Sequence, residues 1–175
     1  YGRFSLPNGK IASRMGKQAI LKDILNYSIN KTKEIVNNNN KLTTEEKNKI
    51  ATSVGVGAVV FSAIRNEKIK DVVFDLDEAL DFNGETSPYI QYTVARCFSI
   101  INKVASIIKN SSYELDYNEI SDESNYELIK TLNKFPDTVL LASEKFEPCL
   151  ISRLLIDISK AFNKYYSNNR VFNEN

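Results

Sequence analysis

Between Ile90 and Ile108 the apolar residues Ile90, Val94, Cys97, Phe98, Ile101, Val104, Ala105 and Ile108 recur at steps of three and four. A half-buried strand would need alternation in twos, so this spacing commits the segment to about five turns of α-helix. Ser87-Pro88 stands at its head, with Pro88 expected at the first helical position, where no backbone donor is missed. The same period governs the other long apolar segments. Ile20, Leu21, Ile24, Leu25, Ile29 and Ile35-Val36 make one broad face, ended by Asn37 to Asn40. Thr43 with Glu46 three residues on is a capping-box pattern, and the helix it opens runs through Ile50, Val54, Ala58 and Phe61 to about Ile64. A short helix is expected over Tyr126 to Leu132. Pro136 and Pro148 each suit a first helical position. The last helix carries Ile151, Leu154, Leu155, Ile158, Phe162 and Tyr165 on one face and stops near Asn168-Asn169. The predicted fold is all-α, several antiparallel helices on short loops, with any strand confined to Val72–Phe74 and an irregular start over residues 1–19.

Two glycines interrupt the second helix. Gly55 and Gly57 each cost roughly 1 kcal/mol there relative to Ala. A phosphate-binding loop would need a preceding strand and the spacing G-x-G-x-x-G, and neither is present. Close approach of a neighbouring helix is the expected reason for both.

A chain of 175 residues, 42% hydrophobic and 26% charged, can bury a core as one helical domain or two small ones. No transmembrane or signal-peptide pattern is present, and the start at Tyr1 suggests a fragment. The chain has no histidine, which removes Ser/His and Cys/His nucleophiles and any histidine-held metal. Cys97 and Cys149 lack C-x-x-C spacing and read as buried free thiols of a cytoplasmic protein. The acids Asp71, Asp75, Asp77, Glu78 and Asp81 lack the calcium-loop pattern and read as solvated residues at a junction between helical units, so no metal is expected.

Charge is divided. Residues 1–70 hold 13 Lys/Arg against 5 Asp/Glu, a net of +8, and residues 71–175 hold 10 against 17, a net of −7. A nucleic-acid contact in the second half must then be local rather than a broad basic face.

Residues 84–96 run Gly-Glu-Thr-Ser-Pro-Tyr-Ile-Gln-Tyr-Thr-Val-Ala-Arg. Tyr89, Tyr92 and Arg96 at the front of a helix suit stacked bases and phosphates. They also suit half-buried tyrosines with satisfied hydroxyls, and an arginine tied to the acidic junction. The pattern Gly-x-Thr-x-Pro-Tyr-x-Gln-Tyr-x-x-x-Arg resembles the start of the anticodon-binding domain of arginyl-tRNA synthetases. Four more stretches resemble that family. Gly9-Lys10-Ile11-Ala12-Ser13-Arg14-Met15-Gly16-Lys17 is similar to its signature loop, Gly-Lys-Met-Ser-Thr-Arg-x-Gly. There Ile11 replaces Met, Ala12 replaces Ser, and Met15 stands where a lysine is common. Val54 to Phe61 resembles its Gly-x-Gly-Ala connector helix, and Phe74-Asp75-x-Asp77 a structural stretch that follows. Ala161-Phe162-Asn163-x-Tyr165-Tyr166-x-x-x-Arg170-Val171 resembles its C-terminal stretch, after which the family continues with a further helix.

The resemblance implies three parts: residues 1–19 as the end of a catalytic domain with its ATP loop, 20–85 as a helical connector, and 86–175 as an anticodon-binding domain incomplete at its C-terminus. It implies that Lys10 and Arg14 act in catalysis, since cations in a mobile loop stabilise phosphate charge, and that Lys10, Ser13 and Gly16 hold ATP. It implies an RNA face of Asn83, Glu85, Thr86, Tyr89, Tyr92, Arg96, Tyr166 and Arg170, with the tRNA for arginine as partner and a cytoplasmic monomer as the setting. The parent enzyme would activate arginine with ATP and attach it to tRNA. This stretch alone, without the family's His-x-Gly-His motif, is expected to form no adenylate. The rival reading is a helical protein–protein interaction module without RNA binding, which the near-neutral charge and acidic second half suit.

Overall fold

The computed structural model describes residues 2–5, 21–38, 41–108 and 122–169. Their architecture is all-α. Helices α1 (Leu21–Asn37) and α2 (Thr44–Ile64) pair first. The one-turn α3 (Leu76–Ala79) follows, then α4 (Ser87–Ile108), α5 (Glu123–Asn133), α6 (Phe135–Lys145) and α7 (Cys149–Asn168). Helix α7 packs on α5 and α6 and also on α4, while α4 packs on α2. Among the described residues no helix is long and apolar enough to cross a membrane.

The helix ends follow local chemistry. Thr43 opens α2 with a full capping box: its hydroxyl accepts the Glu46 N–H, and the Glu46 carboxylate accepts the Thr43 N–H at 2.8 Å. At α4 the cap lies one residue before the expected one. The Thr86 hydroxyl accepts the Tyr89 N–H at 3.3 Å and its carbonyl accepts the Ile90 N–H, which puts Ser87 first and Pro88 second in the helix. Pro148 likewise precedes its helix rather than opening it. Both shifts keep proline in the first turn or before it, where its missing N–H costs nothing.

Two short strands pair in parallel. β1 (Phe4–Ser5) lies beside β2 (Val72–Val73), with Phe4 opposite Val72. The strand at Val72–Val73 falls where it was expected. The one at Phe4–Ser5 corrects the irregular start, because a dipeptide has no period to read and its partner is 68 residues away.

The packing is the main departure from the apolar stripes. The core cluster is Ala58, Val59, Phe74, Leu76, Ala79 and Leu80, with Ile24, Leu25 and Val54 against it. On α1, however, the fully buried residues are Ser28 and Thr32, while Leu21 and Ile35 are exposed. The cause is Gly55. A Cβ built there would sit 2.8 Å from both Cα and N of Ile29, so the two backbones touch and a small residue must face the contact. Ser28 fills it and donates its hydroxyl to the Gly55 carbonyl at 2.8 Å. Gly57 serves a second neighbour, its absent Cβ lying 2.5 Å from Gln91 Nε2 and 2.7 Å from Ser87 Oγ of α4.

Helix α4 is rotated from its expected orientation in the same way. Thr93 is buried, and Val94, Phe98 and Ile101 are exposed. On α7 the buried positions include Ser152, Ile156 and Ser159, with Leu155 at the surface. Small and hydroxylated residues let helices approach closely, and the Ser152 and Ser159 hydroxyls find carbonyl acceptors at Pro148, which caps their helix, and at Leu155 within it. Cys149 is buried and Cys97 only half-buried; burial pushes both thiols up.

Candidate nucleic-acid interface

The first turns of α4 and the last turns of α7 lie side by side and bring Tyr92, Arg96 and Tyr166 together. Tyr92 and Arg96 are four residues apart on α4, one above the other on the same face. Asn163 and Tyr166 are three apart on α7. The Arg96 guanidinium carbon lies 4.7 Å from the centroid of the Tyr92 ring and 4.7 Å from that of Tyr166. At that range each ring attracts the cation through its negative face. Nη2 of Arg96 donates to the Tyr92 hydroxyl at 2.7 Å, and Nη1 donates to Asn163 Oδ1 at 2.8 Å. Phe162 stacks under Tyr166 with centroids 6.1 Å apart. Tyr92 remains 49% exposed and Tyr166 38%. The result is a half-open aromatic face around one held cation.

The acidic junction does not take Arg96. Its acids have other work. Asp75 caps α3, accepting the Asp77 and Glu78 N–H groups, and Asp71 accepts the Arg3 N–H at 2.6 Å. Asp77 pairs with Lys31, and Glu78 pairs with Arg65 at 2.6 Å. These are structural contacts rather than merely solvated charges.

The loop before α4 is tied to the rest of the chain. Asn83 is exposed, with its N–H on Asp81 Oδ1 at 2.9 Å. Glu85 is exposed and pairs with Lys160 of α7, while its carbonyl accepts from Arg65 Nη1 at 3.1 Å. The Lys160 ammonium holds the Glu85 carboxyl below the usual carboxylate range, and Glu85 in turn raises Lys160. Thr86 is only 2% exposed; its hydroxyl donates to the Asp81 carbonyl and caps α4, so it shapes the loop from inside. Tyr89 is half-buried. Lys10, Ser13, Arg14, Gly16 and Arg170 lie outside the described residues.

The apolar periodicity did not find Thr93, Asn163 or Lys160. Asn163 donates Nδ2 to Thr93 Oγ1 at 2.9 Å, and Thr93 donates its own proton to the Tyr89 carbonyl at 3.0 Å. A sequence signal for Asn163 did exist, since it sits one helical turn before Tyr166 in the Phe-Asn-x-Tyr-Tyr stretch.

Residues 90–175 match the model of the DALR anticodon binding domain, and residues 6–76 match that of tRNA synthetases class I (R), catalytic domain. An arginine–tRNA ligase of Halothermothrix orenii is 42% identical over 171 residues, 98% of this chain and 30% of the relative. That of Clostridium botulinum (strain Alaska E43 / Type E3) is 39% identical over 99% of this chain and 30% of its own length. The solved Thermus thermophilus arginyl-tRNA synthetase superposes with a TM-score of 0.81 at 26% identity, covering 98% of this chain and 27% of that one. The chain thus spans about 30% of the length of the curated relatives it matches. With both family models and the Thermus fold in agreement along one sequence, this chain belongs to the arginyl-tRNA synthetase family.

Proposed function

We propose that the chain serves an arginine–tRNA ligase as its tRNA-docking part, with one loop facing ATP. The observation that carries this is the convergence of Tyr92, Arg96 and Tyr166 on one half-open face within the stretch similar to the anticodon-binding domain. Two exposed rings offer stacking surface for bases, and a held guanidinium offers donors to phosphate. Such contacts need no broad basic surface, which answers the net charge of −7 over residues 71–175. In this proposal Asn83, Glu85, Tyr89 and Arg170 also contact the RNA, and Thr86 shapes the loop that carries Asn83 and Glu85. In the same proposal residues 1–19 close a catalytic domain, 20–85 connect, and 86–175 bind the anticodon stem-loop.

Family membership supports the rest of the chemistry. ATP and arginine form an adenylate, and the arginyl group passes to tRNA. Lys10 and Arg14 would stabilise the negative charge that develops on the departing pyrophosphate, with Ser13 and Gly16 beside them at the nucleotide. The proposed setting is the cytoplasm, as a monomer.

The test is a titration of the protein with tRNA at two salt concentrations. Saturable binding that weakens steeply with salt is expected, since each neutralised phosphate releases counterions. Absence of saturable tRNA binding at the lower salt would overturn the proposal.

A further inference from the structure

Beyond the aromatic face itself, the side chains behind it form a directed chain of hydrogen bonds. It begins at Thr93, only 5% exposed. A threonine hydroxyl has one proton, and Thr93 gives it to the Tyr89 carbonyl at 3.0 Å. Towards Asn163, Thr93 can then only accept. The Asn163 amide must turn its Nδ2 to Thr93, at 2.9 Å, and its Oδ1 the other way. That oxygen meets Arg96 Nη1 at 2.8 Å. The Tyr92 hydroxyl takes Nη2 at 2.7 Å. Two nitrogens of the guanidinium are thus fixed at separate points, and both tyrosine rings lie against it at 4.7 Å.

A flexible surface arginine loses rotamer freedom when it binds, whereas one already held loses less. With two rings against the guanidinium, a further base has little of its face to stack on. Its N–H groups that bond nothing among the described residues suit an in-plane acceptor, and RNA offers such an acceptor in each phosphate. Resting on the proposal that this face meets tRNA, we infer that Arg96 is a preset donor to an RNA backbone phosphate and that Asn163 is the positioning residue that presets it. Thr93 acts one step further back, by fixing which way the amide points. Contact through a phosphate carries no base information, so Arg96 contributes affinity common to all sequences presented on the same backbone shape.

Asn163→Asp changes the group that faces Arg96 without changing its size. The carboxylate still accepts from Arg96, but it loses the Nδ2 donor to Thr93 and cancels the cation that the phosphate needs. The readout is tRNA affinity over a salt series with the full-length protein, alongside its urea midpoint. Arg96→Ala is expected to weaken binding roughly tenfold or more, the loss of one charge-assisted hydrogen bond. It should also make the salt slope shallower by about one phosphate. Asn163→Asp should do the same, with a urea midpoint no lower than that of Thr93→Val, which loses the same hydrogen bond. Thr93→Val, which removes the anchor in nearly the same volume, should weaken binding to a smaller degree, and Thr93→Ser should restore it. If Arg96→Ala weakens binding while Asn163→Asp and Thr93→Val leave affinity and slope at parent values, the positioning role is overturned. If Arg96→Ala itself changes neither, the reading of this face as an RNA site falls, and the inference with it.

Discussion

Helices α1 and α2 meet backbone to backbone, whereas α4 and α7 meet through a row of polar side chains. In the first contact Gly55 removes the one atom that would separate the helices, and Ser28 fills the space. Beside it lies the apolar cluster around Ala58, Phe74 and Leu80. In the second contact Thr93, Asn163 and Arg96 pass hydrogen bonds from one helix to the other, while Val94, Phe98 and Ile101 are left at the surface. The two contacts therefore tolerate a change of shape unequally. A backbone contact has no side chain that can yield. A polar row can exchange partners, and its members are free to carry a second task at the surface.

The largest expected effect lies at the backbone contact. Gly55→Ala would place a methyl 2.8 Å from Ile29 Cα and N, so α1 must shift, and the loss is expected to be about 1–3 kcal/mol by urea unfolding. Gly57→Ala is the control. Its methyl meets only the ends of the Gln91 and Ser87 side chains, which can rotate away, and the helix gains roughly 1 kcal/mol in propensity from the same change. Near-equal costs at the two positions would break the comparison.

A smaller effect separates buried hydroxyl from exposed ring. Thr93→Val removes a hydrogen-bonded group inside the α4–α7 contact and is expected to cost about 1 kcal/mol. Phe98→Ala removes a far larger side chain that is 61% exposed and should stay within about 0.5 kcal/mol of the parent. Thermal or urea midpoints of the pair read this directly. A larger loss at Phe98 would mean that a partner covers α4 in solution.

The smallest effect is electrostatic. Glu85, held below its ordinary value by Lys160, contributes stability above its unfolded-state pKa and loses it as pH falls through the depressed folded value. Lys160, raised by Glu85, contributes below its own unfolded-state pKa and loses it as pH rises through the raised value. The tie between the loop and α7 is therefore complete at neutral pH. Both side chains are largely exposed, so it amounts to less than about 1 kcal/mol and fades with salt. Glu85→Gln should flatten the acid limb of the stability profile and leave the neutral plateau nearly unchanged.

Periodicity and capping chemistry carried much of the fold. The Thr43–Glu46 box opens α2 as its sequence requires, and α7 ends at Asn168 where the stripe runs out. Hydrophobicity was a poorer guide to which face is inside. On α1 it pointed to Leu21 and Ile35, but backbone contact at Gly55 selects Ser28, and Thr32 is buried one turn further on. That selection depends on a neighbour 27 residues away, which no local window contains. Phe4–Ser5 was invisible for the same reason. At the candidate site, Tyr92 and Arg96 were legible from their four-residue spacing on one helix. Their joining with Asn163 and Tyr166 was not, because it needs the approach of a helix some 70 residues on.

In the proposed role, the face shared by α4 and α7 docks tRNA with residues that are not needed to hold the fold. The most direct test measures tRNA affinity and urea midpoint together for Tyr92→Ala and Tyr166→Ala. If each ring stacks on a base, each substitution should weaken tRNA binding by about 1–3 kcal/mol, with the midpoint moving much less. Unchanged affinity in both variants, or a midpoint that falls in step with the affinity, would contradict the account and return the two tyrosines to packing alone.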